Sequence, residues 1–434
     1  MLGVRLMVGL RTLTPSVEVR ILYPQPNKKL ITVNRTSITT LLSCFTLTIS
    51  HVQASQEEIA SNSIEKFCAG YTRAGYIQTG VDSSPTQRAI AVGGEYACTM
   101  SLSSNINISL GGSTSIEPGV INSDNAAKLH GDFFDTNKDS YIFLSEAVLN
   151  ANFGKLNAHL GRQIFDSPHM DSDDLRMIPN RFEAYQLNYN LNDKTDIGFS
   201  YVRKMSGWEN GGDQSRFVDI GKALGADNGE AFVVWTTYEQ PGLSIQLWNY
   251  LIEDIENIFY AEAIYGAEYS DNISWDIGLQ YDLGRDIGSA KLGDIDADTW
   301  GVSAALSYKS ATFSAAHNRN HGKSGALTSL GGGPFFTSME EQTLDAVSGS
   351  EARSTTLGFE IETLKNLVLG VVTSDFRAGN KSTYHIQENN VYLNYSWHDN
   401  IILEAIYADI DNRNLTTDSD QLRVILTYQL EGSF

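Results

Sequence analysis

Residues 135–146 read DTNKDSYIFLSE, which sets Asp135, Asn137, Asp139, Tyr141 and Glu146 at positions 1, 3, 5, 7 and 12 of a calcium loop. Such a loop surrounds a hard cation with side-chain and backbone oxygens. Ile142 also falls where these loops carry an apolar residue, although Ser140 replaces the glycine of the sharp turn. The alternative reading is an ordinary Asp/Asn turn. Whether the loop runs on into a helix or a strand decides between them.

Little else in the chain has the spacing of a catalytic site. His159, His169, His317, His321, His385 and His398 are scattered and have no serine or cysteine at a nucleophile's spacing. They read as rim, loop or turn residues, and the chain reads as a non-enzyme. The one glycine-rich run, GGGP, leads into no helix, and no zinc spacing occurs.

Among the 434 residues, 20 tyrosines, 18 phenylalanines and 37 glycines stand against 9 prolines, and no apolar run is long enough for a membrane helix. A membrane-spanning form of this chain must therefore be a closed barrel. Near the N-terminus Lys28, Lys29 and Arg35 precede an apolar stretch at 38–49, and Val52 and Ala54 supply small residues before a cleavage point. This is the pattern of a secretory leader. It makes 1–54 an upstream extension with a cleaved signal peptide and 55–434 the mature domain. The formal charge is −21, and cleavage would remove mostly basic residues, so a nucleic-acid partner is disfavoured.

Two cysteines, Cys68 and Cys98, remain in the mature chain. If a hairpin turns near Ser83 and Ser84 they stand opposite each other, and two readings stay open: a disulfide formed in an oxidising compartment, or two unpaired small apolar residues.

From about residue 67 onward the dominant signal is alternation. In ISWDIGLQYDL, Ile273, Trp275, Ile277, Leu279, Tyr281 and Leu283 share one face, while Ser274, Asp276, Gly278, Gln280 and Asp282 share the other. DTWGVSAALSY and VYLNYSW repeat the pattern. The strands are too long for a soluble sandwich, and their greasy faces end in aromatics, as expected of a lipid-facing exterior around a wet lumen. Short turns such as NFGK, LNDKT, EQPG, YSDN, LKN and HDN mark one rim, and longer segments near 206–228 and 320–350 mark the other. The expected fold is all-β: a transmembrane antiparallel barrel of about eighteen strands, wide enough for an aqueous channel. In the C-terminal QLRVILTYQLEGSF, Val424, Leu426, Tyr428, Leu430 and Phe434 share the outer face. A last strand ending in phenylalanine resembles the signal read by the barrel-assembly machinery and points to the bacterial outer membrane.

The barrel answers the calcium question. As a strand, YIFLSEAVLNANF turns Tyr141, Phe143, Ala147, Leu149, Ala151 and Phe153 to lipid and Leu144, Glu146, Val148, Asn150 and Asn152 inward. Glu146 then stands about 23 Å along the strand from Asp139 and cannot close a loop around an ion. Two readings survive for Asp135, Asn137 and Asp139 in an extracellular loop: an ordinary Asp/Asn turn, or loosely bound calcium as the weaker alternative.

The block LNAHLGRQIFDSPHMDSDDLRMIPNRFEAY, residues 156–185, resembles the OprD-type family of outer-membrane porins. Gly161, Arg162 and Gln163, then Asp173, Asp174, Arg176, Pro179, Phe182 and Glu183, carry the likeness. GGGPFFTSMEEQTLDA, residues 331–346, looks like a long loop of the same family. The resemblance implies eighteen strands and an inward-folded third loop, here DSPHMDSDDLRMIPN. It places Asp166, Asp171, Asp173, Asp174, Arg176, Arg181 and Glu183 at the constriction, where opposed charges set up a transverse field.

The resemblance also implies a ladder of inward arginines. Strand parity sets Arg73, Lys204 and Arg423 inward, but Arg162 shares a face with Leu156, Ala158 and Leu160, so either a bulge turns it or it sits at the outer rim. Inward acids, Glu95, Glu146, Asp276, Asp282 and Glu360, outnumber the bases. The expected function is passive diffusion of small hydrophilic solutes and ions with a mild cation preference. The alternative is a non-conducting structural or adhesive barrel. The implied partners are outer-membrane lipid, small solutes and, by analogy, two further copies in a homotrimer.

Overall fold

The computed structural model describes residues 66–434 except 120–124, 126, 326, 328, 365, 399, 415, 416 and 434. The leader reading at 1–54 and the terminal Phe434 lie outside the described residues.

The first seven long strands are β1 Lys66–Val81, β2 Gln87–Ser103, β3 Ile106–Ile116, β4 Tyr141–Phe153, β5 Leu156–Gln163, β6 Arg181–Asn192 and β7 Thr195–Ser206. Then come β8 Ala231–Gln240, β9 Leu243–Ile252, β10 Glu256–Ser270, β11 Ile273–Asp286, β12 Asp296–Tyr308 and β13 Ala311–Asn320. The last five are β14 Arg353–Leu364, β15 Leu367–Arg377, β16 His385–Trp397, β17 Ile401–Asn412 and β18 Ser419–Ser433. A two-residue segment, Val218–Asp219, adds a short pairing at the end of β7. Each long strand pairs antiparallel with the next, and β1 pairs with β18 from Phe67↔Ser433 to Val81↔Ser419, which closes the barrel. Closure leaves no open edge, as a lipid environment requires.

The alternation holds in three dimensions. Leu279 is 57% exposed on the outer face while its neighbour Gln280 is 4% exposed inside. One rim consists of tight turns, with Gly154 and Gly242 supplying the positive φ that two-residue hairpins demand. The longer connections, 117–140, 164–180, 207–230 and 321–352, lie at the other rim, which in such barrels is the extracellular one.

Two bulges shift the expected faces. In β4 the register slips at Ser145, which leaves Tyr141 and Phe143 inward and Leu144 half-exposed outside, whereas Glu146, Val148 and Asn150 keep their expected inner positions. In β7 the pairing jumps from Ala184↔Val202 to Glu183↔Lys204, so Arg203 is the extra residue. Val202 and Met205 are fully buried inside, and Lys204 and Glu183 share the outer face, not the lumen.

Three of the long loops fold into the barrel on apolar anchors. Leu129, Phe133, Phe134 and Met177 pack on Ile77, Ala89 and Ala91 of β1 and β2. Phe165, Met170 and Leu330 pack among Trp235, Trp248 and Tyr250 of β8 and β9. Phe335, Met339 and Leu344 pack on Val372, Phe376 and Tyr392 of β15 and β16.

Candidate functional site: the clamped inner loops

Loop 164–180 crosses the interior and is tied to the wall at both ends. On the side where β1 meets β18, the Arg73 guanidinium makes a bidentate pair with Asp174 at 2.6 and 2.7 Å, and also donates to the Arg176 carbonyl at 2.8 Å and to the Thr427 hydroxyl at 3.2 Å. Arg423 of β18 pairs in the same bidentate way with Glu340 of loop 321–352, at 3.0 and 2.9 Å, and donates to the Leu175 carbonyl at 2.6 Å.

Between these two sits Arg176, wholly buried. It reaches Asp132 of loop 117–140 at 3.2 Å and Glu340 at 3.5 Å, with its guanidinium 4.5 Å over the Trp208 ring. The Trp208 indole N–H in turn donates to the Asp173 carbonyl at 3.2 Å. Four extracellular loops thus meet on one arginine.

At its other end the loop is fixed to β9–β11. His169 Nε2 lies 3.0 Å from the Asp282 carboxylate, and its ring packs edge-on against Tyr250 and Tyr260. A parallel bridge between Met170 and Leu330 joins the two inner loops there.

A third charged group lies near the start of β6. Arg181 donates to Glu146 at 2.8 Å and to both oxygens of Glu95, and Ser113 donates to Glu95 at 2.6 Å. The carboxylates of β2 and β4 thereby hold the C-terminal end of loop 164–180.

Burial and charge set the loop groups apart. Burial lowers the proton affinity of His169, but the Asp282 carboxylate outweighs it and raises the imidazole pKa above its ordinary value. Burial would raise Asp132, yet His130 and the Arg176 guanidinium hold it below the usual carboxylate range. Burial, with the Asp171 charge added, pushes Asp173 well above that range. Asp173 also sits at φ +35°, in the left-handed region.

The expected constriction residues separate into three groups. Asp173, Asp174, Arg176 and Arg181 belong to the inner network. Asp166 is exposed, and Asp166 and Asp171 accept backbone N–H groups from Ser172 and Asp173 within the loop. Glu183 faces outward and pairs with Arg162 at 3.6 Å and Arg203 at 3.3 Å, so Arg162 sits at the outer rim. Of the wall residues, Arg73, Glu95, Glu146, Asp276 and Arg423 are buried inside, and Lys204 is not among them.

Cys68 and Cys98 are opposite each other in the β1–β2 register and joined by a disulfide. Asp135 accepts the N–H groups of Asn137 and Asp139, each at 2.8 Å, as in an Asx turn, and Glu146 is engaged by Arg181 and Ser109. Among the described residues no group of three or more metal-ligating side chains is placed to hold an ion.

Sequence reasoning missed Asp132, Trp208 and Glu340, and it read His169 as loop decoration. Their signal was indirect: apolar residues at inner positions near the long-loop rim, such as Ile77, Trp235 and Phe376, mark where loops pack inside the barrel.

A family model for the outer membrane porins of the OprD family matches residues 119–363, more than half of the chain. The chain belongs to the OprD family of outer-membrane porins. The family's barrel is shared by solved structures at low sequence identity. OccK9 (OpdG) of Pseudomonas aeruginosa aligns with a TM-score of 0.74 at 16% identity, over 85% of this chain and 98% of that one. OpdK of the same species, crystallised with vanillate, gives 0.71 at 16% over 85% and 99%. OccAB4 of Acinetobacter baumannii gives 0.71 at 16% over 85% and 98%. No curated protein matches the chain by sequence. As an OprD-family porin it resides in the bacterial outer membrane, in contact with its lipid, and functions as a passive channel for small solutes.

Proposed function

We propose that the channel is narrowed where loops 117–140, 164–180 and 321–352 meet, and that its lumen mildly prefers cations. The observation that carries this reading is how the inner charges are paired. Arg73, Arg176, Arg181 and Arg423 are each engaged by carboxylates. The inner-wall acids Asp276, Glu360 and Glu388 form no ion pair with a base among the described residues; Glu360 accepts from Tyr392, and Glu388 accepts the Glu341 N–H. Wherever water in the passage ionises these unpaired acids, their negative charge raises the local concentration of cations. The test is the reversal potential of the mature chain in a planar bilayer across a KCl gradient. A cation-signed potential is expected, and an anion-signed one overturns the preference.

The full burial of Phe335, Met339 and Met177 inside the barrel favours one rival, a non-conducting structural or adhesive barrel. A folded barrel that passes no steady current would establish it. The proposal also includes recognition of the last strand by the barrel-assembly machinery through Phe434, and a homotrimer. Light scattering on the detergent-solubilised protein tests the trimer, and a monomer mass would remove it.

A further inference from the structure

We propose that the extracellular rim of β13–β16 carries, on its outer face, a site for a phosphorylated lipid headgroup of the outer leaflet, centred on Arg319, Arg353 and Arg377. The strand registers set Arg319 opposite Arg353, Arg353 opposite Arg377 and Arg377 opposite His385. Their chain neighbours Asn318, Asn320, Ser354, Phe376 and Ile386 are buried inside, so this row points outward. At the strand spacing of a sheet, the three arginines lie within about 10 Å of one another.

Like charges directly opposite each other across a sheet are destabilising, and the protein neutralises this row only in part. Glu351 stands 3.8 Å from Arg319, and Asp375 stands 3.4 Å from Arg377 while also bonding His385 at 2.7 Å. Arg353, in the middle, has no ion-pair partner among the described residues, and the Nε atoms of both Arg319 and Arg353 are buried without a hydrogen-bond acceptor. Two outward arginines elsewhere on the barrel behave differently: Arg162 and Arg203 are closed off by Glu183 and Glu230.

A ligand that complements this row presents several anionic acceptor oxygens, as a phosphate does. A lipid source, not a free anion, is indicated by the surface below the row on the same strands. Phe313, Leu357, Val371 and Val391 form an exposed apolar wall, with Leu357 four residues from Arg353, about 13 Å along the strand. A headgroup bound at the arginines would lay its acyl chains along that wall.

The test is native mass spectrometry of the detergent-solubilised barrel with diphosphorylated lipid A, with inorganic phosphate as competitor. Wild type is expected to retain lipid A in the presence of phosphate, and R353Q and R319Q/R353Q/R377Q to bind it roughly five-fold more weakly per arginine replaced. R162Q/R203Q is expected to bind as wild type does. The heat-induced mobility shift on gels reports folding: without lipid the triple variant should unfold no earlier than wild type, and added lipid A should delay unfolding of wild type and R162Q/R203Q but not of the triple variant. Equal retention by wild type and both row variants, equal loss in R162Q/R203Q, or displacement of lipid A by equimolar phosphate would each overturn the site.

Discussion

The two ends of loop 164–180 are fastened by different chemistry. At the β1–β18 side, Asp174, the Leu175 and Arg176 carbonyls and the Arg176 side chain are held among guanidinium groups and carboxylates. Guanidinium groups keep their charge at any pH a bacterium meets. At the β9–β11 side, beside the apolar packing of Phe165 and Met170, the charged fastening is one imidazole against Asp282, with Glu256 and Asp345 nearby and two tyrosine rings around it. The first fastening is permanent, whereas the second is conditional on a proton. A raised histidine pKa means that the contribution of His169 is fully present below the ordinary histidine value and is lost as pH rises through the raised one.

The largest effect should come from breaking the permanent end. Arg176→Gln removes the charge that joins Asp132 to Glu340; Glu340 keeps Arg423 and Asp132 keeps His130, so the loss is of the charged contacts and the Trp208 stacking, about 3 kcal/mol. We expect larger, noisier single-channel currents and new protease cuts within residues 164–180 of the folded barrel. A smaller effect is expected at the conditional end. Asp282→Asn should weaken loop docking by about 1–3 kcal/mol, and current noise near neutral pH should rise toward that of wild type at alkaline pH. In wild type itself, raising the pH above the ordinary histidine range should increase current fluctuations, and Asp282→Asn should abolish that dependence. Equal pH responses in the two proteins would show that His169 is not the conditional fastening. The smallest effect concerns calcium: because Asp135 already accepts two backbone N–H groups, chelating calcium should leave conductance unchanged within error.

The contrast between wall and loops also explains what could be read in the sequence. The barrel was legible because lipid imposes period two on every strand, so ISWDIGLQYDL alone assigned the faces of β11 correctly. Parity shows which way a residue points but not what covers it. Asp282 could be placed inside, yet its partner His169 lies 113 residues away on a loop. Lys204 and Leu144 were misassigned because single-residue bulges at Arg203 and Ser145 invert parity, and a bulge set by cross-strand register leaves no local mark in the sequence. Glu340 sat within a long rim segment that the strand pattern located, but nothing near it in the sequence indicated Arg423.

The most direct test is the single-channel conductance of wild type compared with Arg73→Gln/Arg423→Gln in the same planar bilayers and salt. If the wall arginines hold two inner loops across the channel, the double variant should show larger open steps with the sign of the reversal potential unchanged. Identical step sizes from a properly folded variant would mean that the clamped loops do not set the width of the pore.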